Sequence, residues 1–383
     1  MEQSLQLIAT AAFGLESVVA REVRALGYSP VQVENGRVTF AGDAAAVPRA
    51  NLWLRTADRV LVKLGAFPAG DFEALFAGTL ALPWSDWLPP DAAFPVAGQA
   101  VQSALHSVPA VQSVVKKAIV EHLRQKTRTA YLPESGPVYP VSVSLRRDVA
   151  LLTLDTTGRG LHKRGYRREA GPAPLKETLA AGLLLLSRWR PDQPLVDPCC
   201  GSGTIPIEAA LLGRNLAPGL HRRFAAERWS QLPAALWEEA REEARALADR
   251  SVELSLTGYD LQPAAVALAR RHAEQAGVAA DLAFAAQDLA RLRLPAGPGQ
   301  VICNPPYGER LGEVTEAEAL YVALGRLRKN APGWSFAVLT AHPEFEHFFG
   351  RRANRARKLY NGRLECQYLQ FPGAYGQSDK NMV

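Results

Sequence analysis

The stretch Leu195-Val196-Asp197-Pro198-Cys199-Cys200-Gly201-Ser202-Gly203-Thr204-Ile205-Pro206-Ile207-Glu208-Ala209-Ala210 joins a short buried strand, a tight glycine turn and the start of an apolar helix. Gly201 and Gly203 let backbone approach a ligand, and the helix that follows aims its first N–H groups at the same space. Asp197 at the strand end disfavours phosphate there and suits a cationic or amino-bearing group. Further apolar strands, Leu256-Thr257-Gly258-Tyr259, Leu282-Ala283-Phe284 and Val301-Ile302-Cys303, follow with helical segments between them. That alternation predicts an α/β domain built on a doubly wound parallel sheet. Two more strands, Ser335–Thr340 and Leu364–Phe371, extend it, with Lys358-Leu359-Tyr360 as a partner for the last. The interval from Gly213 to Val252 is too long for one crossover helix and holds an extra charged helix over Ala234–Arg250.

Upstream the pattern is α+β. A strand over Leu5–Ala9 precedes apolar residues at helical spacing from Leu15 to Leu26. Val31-Gln32-Val33 and Arg37–Phe40 flank Asn35-Gly36, a strong hairpin signal. A helix over Ala44–Leu54 completes a small ferredoxin-like unit, placed at residues 1–57. A second module, residues 58–157, reads as strands over Val60–Leu64, Phe94–Val101, Val141–Leu145 and Val149–Leu154, with helices over Phe72–Leu80 and Val111–Leu123. It contains no cluster of His, Ser or carboxylates and reads as a binding module. Residues 158–174 form a linker ending at Pro174, which can occupy the first helical turn of a domain spanning 175–383.

With 383 residues the chain needs two or three domains. It has no long apolar run and no basic segment followed by an apolar one at its start, so a cytoplasmic protein without membrane association is expected. Its four cysteines lack metal-ligand spacing, and no metal is expected. The net charge of +6 is mild, but the cations cluster. Arg159, Lys163, Arg164, Arg167 and Arg168 form one group; Arg351, Arg352, Arg355, Arg357 and Lys358 another; Lys116, Lys117, Arg124, Lys126 and Arg128 a third. Three such groups point to a polyanionic partner.

Ligands of a doubly wound sheet bind beyond the carboxyl ends of its strands. Strand 1 ends in Asp197, Gly201 and Gly203. Strand 2 ends in Asp260, which can accept both hydroxyls of a ribose. Asp288 follows strand 3 and can accept an adenine N6 amine. Strand 4 delivers Asn304-Pro305-Pro306-Tyr307. A glycine turn alone is shared by many nucleotide folds, and a single Asp can equally be a helix cap. Asn304 to Tyr307 are more specific. An exocyclic amine on a base is a poor nucleophile because its lone pair is delocalised into the ring. Acceptors at Asn304 Oδ1 and the Pro305 carbonyl favour the pyramidal form, and Tyr307 offers a stacking face. The two strand-end sites together suggest S-adenosylmethionine and a planar amine.

At these residues the chain resembles the THUMP-linked class I RNA methyltransferases, RlmL/YpsC-like and related to the TrmN-type tRNA enzymes. Leu161-His162-Lys163-Arg164-Gly165-Tyr166-Arg167 and Ser107 to Ile119 add to the likeness, which covers nearly the whole chain. The resemblance implies ferredoxin-like and THUMP domains followed by a Rossmann-like catalytic domain, with N2-methylguanosine as product. Carried over by position, Asp197, Gly201 and Gly203 hold the methionine end of the cofactor, Asp260 the ribose and Asp288 the adenine. Cys199, Thr204, Leu261, Leu289 and Asn304 complete the cofactor set, and Asn304, Pro305, Pro306 and Tyr307 take the guanine. Lys116, Lys117, Lys163, Arg164, Arg167 and Arg310 are assigned to RNA, with 23S ribosomal RNA ahead of tRNA as substrate. An adenine-N6 methyltransferase and a catalytically idle RNA-binding assembly factor are the alternatives.

Overall fold

The computed structural model describes residues 4–128, 131–167, 175–308 and 313–374. They form two compact units. One holds the first strand, Val19–Leu161 and Arg222–Glu243; the other holds Ala12–Val18, His162–His221 and the chain from Ala244 onward.

In the first unit the order is β1 (Leu5–Ala11), α1 (Glu16–Ala25), β2 (Val31–Glu34), β3 (Arg37–Gly42), α2 (Ala46–Trp53), β4 (Ala57–Pro68), α3 (Phe72–Leu80), α4 (Trp84–Trp87), β5 (Val96–Val101), α5 (Val108–Thr127), β6 (Val141–Arg146) and β7 (Val149–Asp155). The first residues of α1 belong to the second unit. All seven strands share one sheet, ordered β2-β3-β1-β4-β7-β6-β5. β4 is the seam. It pairs with β1 from Ala57 to Val62 and with β7 from Leu61 to Pro68, so one strand serves both modules expected to meet near residue 57. Alternation sets the buried face, as in β6, where Val141, Val143 and Leu145 are buried. α3 starts where Asp71 Oδ1 accepts the Ala74 N–H at 2.7 Å, and α5 has Pro109 in its first turn.

The middle of the long insertion belongs to this unit too. Trp229 is fully buried, stacks on Tyr139 with centroids 4.6 Å apart, and donates its Nε1 proton to the Val138 carbonyl at 2.9 Å. Arg222 donates to the Gly160 carbonyl at 2.8 Å. The segment therefore covers the binding module rather than lengthening the crossover from which it departs.

The second unit runs α6 (Glu177–Ser187), β8 (Leu195–Asp197), α7 (Thr204–Gly213), then α8 (Ala234–Ala246), whose last turn alone belongs here, β9 (Leu256–Asp260), α9 (Pro263–Gln275), β10 (Leu282–Ala286), β11 (Gly299–Cys303), α10 (Glu313–Asn330), β12 (Trp334–Thr340), α11 (Phe345–Phe349), β13 (Arg355–Asn361) and β14 (Leu364–Phe371). Its sheet is ordered β10-β9-β8-β11-β12-β14-β13, parallel from β10 to β12 and antiparallel beyond. Strand order reverses between β8 and β11, so the chain leaves their carboxyl ends toward opposite faces of the sheet and a crevice opens between the two loops. One apolar cluster, with Leu183, Ile207, Ala269 and Tyr368, fills one face. Tyr321, Phe336, Phe345 and Phe371 fill the other. Among the described residues no helix is long and apolar enough to cross a membrane.

Candidate active site

The loop after β8 turns through two left-handed glycines, Gly201 at φ 51° and Gly203 at φ 81°. The two have different duties. A Cβ on Gly203 would lie 2.9 Å from Ala269 Cβ and 3.1 Å from Phe284, so this glycine lets α7 pack on its neighbours. A Cβ on Gly201 would meet nothing within 4 Å, so this one faces open space. Asp260 ties two strand ends together: Oδ2 accepts from Gly201 N at 3.0 Å and Oδ1 from Gln262 N at 2.9 Å. The Gly201 amide is thus already spoken for inside the protein.

Between these loops lies a cleft of about 380 Å³ lined by Asp197, Cys199, Gly201, Thr204, Gln262 and Asn304, among others. Both strand-end signals, about 100 residues apart in sequence, meet on its walls. Asp197 is 2 % exposed, and its Oδ1 accepts the Cys199 N–H at 3.1 Å. Burial, with the charge of Asp260 added, pushes its carboxyl up to about 8. No cationic side chain among the described residues relieves it. A buried carboxyl lacking a cation beside open space fits a ligand with an ammonium or sulfonium group.

Asn304 follows β11 at the mouth of the same cleft. Its Oδ1 accepts a hydrogen bond from the Tyr307 hydroxyl, so in this form the acceptor is occupied by the protein's own donor. Cys366 Sγ lies 3.8 Å from that hydroxyl. Tyr307 is half-buried against the apolar cluster, and burial drives its phenol pKa up. The turn is anchored from behind by Tyr321, fully buried, whose hydroxyl donates to the Pro306 carbonyl at 2.6 Å. Tyr321 carries no sequence signal as a site residue, because it lies in α10 with the spacing of an ordinary core aromatic.

Several residues expected at the site do other work. Asp288 caps a short 3₁₀ turn, its Oδ1 accepting the Ala290 N–H at 2.8 Å, and it does not line the cleft. Leu289 is buried in the core, while Leu261 is 71 % exposed next to Asp260. Arg164 corrects the RNA assignment. It is buried, its Nη2 3.3 Å from Glu208 Oε2, and Tyr166 donates to the same carboxylate at 3.1 Å. Arg167 donates to the Leu175 carbonyl at 2.8 Å and to Thr204 Oγ1 at 2.9 Å, and faces Glu177 at 3.6 Å. These two cations brace the helix behind the glycine turn and are not offered to phosphate. Lys116 is likewise engaged: its ammonium bonds the Phe94 carbonyl at 3.1 Å, pairs with Glu134 at 2.7 Å and sits 3.5 Å over the Phe94 ring. Lys117 and Lys163 are exposed. Arg168, Glu309 and Arg310 lie outside the described residues.

A doubly wound sheet with an acidic glycine turn at one strand end and Asn-Pro-Pro-Tyr at another defines an S-adenosylmethionine-dependent methyltransferase. Family models match along the chain: an RlmL ferredoxin-like domain at residues 6–61, a THUMP domain at 69–155 and an RMKL-like methyltransferase domain at 164–370. The chain is 46% identical over 367 residues to "Putative RNA methyltransferase YpsC" of Bacillus subtilis, covering 95% of each. It is 38% identical over 385 residues to the ribosomal RNA large subunit methyltransferase K/L of Syntrophotalea carbinolica, covering 97% of this chain but 54% of that one. Among solved structures, a "predicted N6-adenine-specific DNA methylase" from Listeria monocytogenes superposes with a TM-score of 0.93 at 47% identity, over 97% of each chain. A "putative methyltransferase complexed with SAH" does so with a TM-score of 0.92 at 44% identity, over 97% of this chain and 99% of that one. The chain belongs to the RMKL-like methyltransferase family, and both of these curated relatives are named RNA methyltransferases.

Proposed function

We propose that the chain transfers a methyl group from S-adenosylmethionine to the exocyclic N2 amine of a guanosine in RNA, with large-subunit ribosomal RNA ahead of tRNA. The observation that carries this reading is Asn304 on the wall of the cleft that also holds Asp197. When bound, S-adenosylmethionine supplies an electrophilic methyl on a sulfonium sulfur. Asp197 holds the cationic end of the cofactor, and Gly201 leaves it room. Asn304 Oδ1 and the Pro305 carbonyl would accept hydrogen bonds from the two amine N–H groups, which turns the amine lone pair out of conjugation; as the N–C bond forms and the S–C bond breaks, one of these protons leaves to water. To reach Asn304 the amine displaces the Tyr307 hydroxyl and donates in its place. Tyr321 keeps the Pro306 carbonyl from drifting, so positioning supplies most of the rate.

RNA as substrate is supported by the THUMP domain and by the names of both curated relatives. The guanine N2 position is supported by the family resemblance, and the ribosomal target by the name of the K/L enzyme. A second reading, methylation of adenine N6, is favoured by the name of the Listeria structure and needs the same two acceptors. The test is nucleoside mass spectrometry after incubating the protein and labelled S-adenosylmethionine with ribosomal and transfer RNA from cells lacking the gene. Label in N2-methylguanosine from large-subunit RNA is the expected result. Label in N6-methyladenosine would replace the first reading with the second, and label in neither would end both.

A further inference from the structure

The far edge of the second sheet carries charge that the cofactor cleft does not use. β13 pairs on one side only, with β14. Arg351 and Arg352 before it, and Arg355 and Arg357 on it, are exposed. None of the four has a carboxylate partner among the described residues. Arg357 spends one N–H on the neutral Ser17 hydroxyl at 3.2 Å, which leaves its charge uncompensated. Lys358, by contrast, is neutralised by Glu365.

A further cation stands behind them. The end of α10 runs against α11 so closely that a Cβ on Gly325 would lie 2.3 Å from the Phe349 carbonyl oxygen. Arg328, about one turn beyond Gly325, has a buried Nε with no hydrogen-bond partner. Burial and the facing charge of Arg351 both hold its pKa below the usual guanidinium range. Two arginines lie close enough to repel, and no carboxylate among the described residues offsets the charge on Arg328. Cations on an edge strand also discourage strand pairing with another chain. That role accounts for Arg355 and Arg357, but it gives no reason for an arginine on the helix behind whose buried Nε–H has no acceptor.

The ridge leads to the chemistry. From Arg355 to Asn361, β13 climbs about 20 Å. Asn361 lies opposite Leu364, and two residues on, Cys366 of β14 stands 3.8 Å from the Tyr307 hydroxyl. At the same end Phe13, 47 % exposed, meets the Tyr360 ring edge-on at 5.8 Å. Cations along a strand with aromatic surface at one end match a single nucleic-acid strand, whose bases stack while its phosphates follow the charge.

We propose that this edge is the track for the single-stranded RNA flanking the target nucleotide, with its phosphates on Arg351, Arg352, Arg355 and Arg357, and Arg328 in support. The proposal rests on the reading of the chain as an RNA methyltransferase. The track delivers an unpaired base to the Asn304 loop, which is the form a base must take to be methylated at its ring edge.

The test compares the parent with R355E/R357E and R355K/R357K, using a short fluorescein-labelled single-stranded RNA titrated across a range of salt. Thermal melting and calorimetric S-adenosylmethionine affinity serve as controls. When two fewer phosphates of a single strand are neutralised, the slope of log K against log salt falls by about 1.4. R355E/R357E should show that drop with cofactor affinity and melting unchanged, and R355K/R357K should keep the parent slope. A folded R355E/R357E with the parent slope overturns the track while leaving the RNA reading standing. Parent affinity for polyglutamate equal to that for RNA also overturns it, because the ridge would then be a general anion surface. A parent that neither binds nor methylates RNA removes the substrate reading itself.

Discussion

Asp197 makes cofactor binding a proton-linked event. Its carboxyl is buried beside Asp260 with one backbone amide to offset the loss of water, which puts its pKa at about 8 in the cofactor-free protein. At neutral pH the site therefore holds mostly a neutral acid, whereas a bound ammonium or sulfonium favours the carboxylate. Binding must release a proton, and affinity must rise with pH until the cofactor-free pKa is passed. Well below that point each pH unit costs about tenfold, ~1.4 kcal/mol, so affinity for S-adenosylmethionine should be roughly 50-fold weaker at about pH 6 than at about pH 8, where half the carboxyls are already ionised. Titration calorimetry in buffers of different ionisation enthalpy reads the same event directly. About one proton should leave per cofactor near pH 6.5, falling toward zero above about pH 8.5. Affinity that stays flat over this range, or binding without proton release, refutes the placement of Asp197 against the cofactor's cationic end. Asp197→Asn should lose the pH dependence together with much of the affinity. Stability follows with the opposite sign. The folded pKa lies above the unfolded value of ~3.9, so the cofactor-free protein becomes less stable as pH rises from about 4 to about 8, and the loss levels off above. Saturating cofactor should flatten that decline.

Asn304→Ala should abolish methyl transfer in single-turnover assays while calorimetric affinity for the cofactor stays near the parent value; loss of both together would make Asn304 a structural residue. Tyr321→Phe removes the hydroxyl that holds the Pro306 carbonyl and should cost about 1 kcal/mol of stability. Its larger effect should fall on the methyl-transfer rate, up to roughly 100-fold through misplacement of the loop, with cofactor affinity unmoved. An unchanged single-turnover rate would show that the loop needs no such anchor. Glu208→Ala strands the buried Arg164 guanidinium and should destabilise the domain by ~3–5 kcal/mol in urea unfolding. Replacing the pair together, Arg164→Met with Glu208→Leu, should recover part of this; a double variant worse than the single one would contradict the ion-pair account.

Much of this fold is legible from local pattern. The Asn35-Gly36 turn lies between β2 and β3 as its chemistry demands, and Phe72–Leu80 is a helix capped by Asp71. Lys358-Leu359-Tyr360 falls within the edge strand beside Leu364–Phe371. Other features are not legible, because they depend on residues distant in the chain. Arg164 looks like a surface cation until Glu208, 44 residues further on, is folded against it, and Arg167 until Thr204 and Glu177 close on it. The segment around Trp229 lies between two elements of the second unit in sequence, yet its partner Tyr139 is 90 residues upstream. Asp288 shows why a strand-end acid is ambiguous: the same residue type serves as a turn cap, and that is the bond it makes here.

The amino-acid order alone determined the strand-and-helix rhythm of both units, the glycine turn at 201–203 and the aspartates and asparagine at the strand ends, because these follow from backbone sterics and nearest-neighbour periodicity. Only the tertiary structure decided which cations are spent inside the protein and which remain for a partner, that Tyr307 occupies Asn304, and that Asp197 is held as an acid with its pKa at about 8. Charge state and pairing depend on desolvation and on what stands within a few ångströms, and chain folding alone brings those neighbours together.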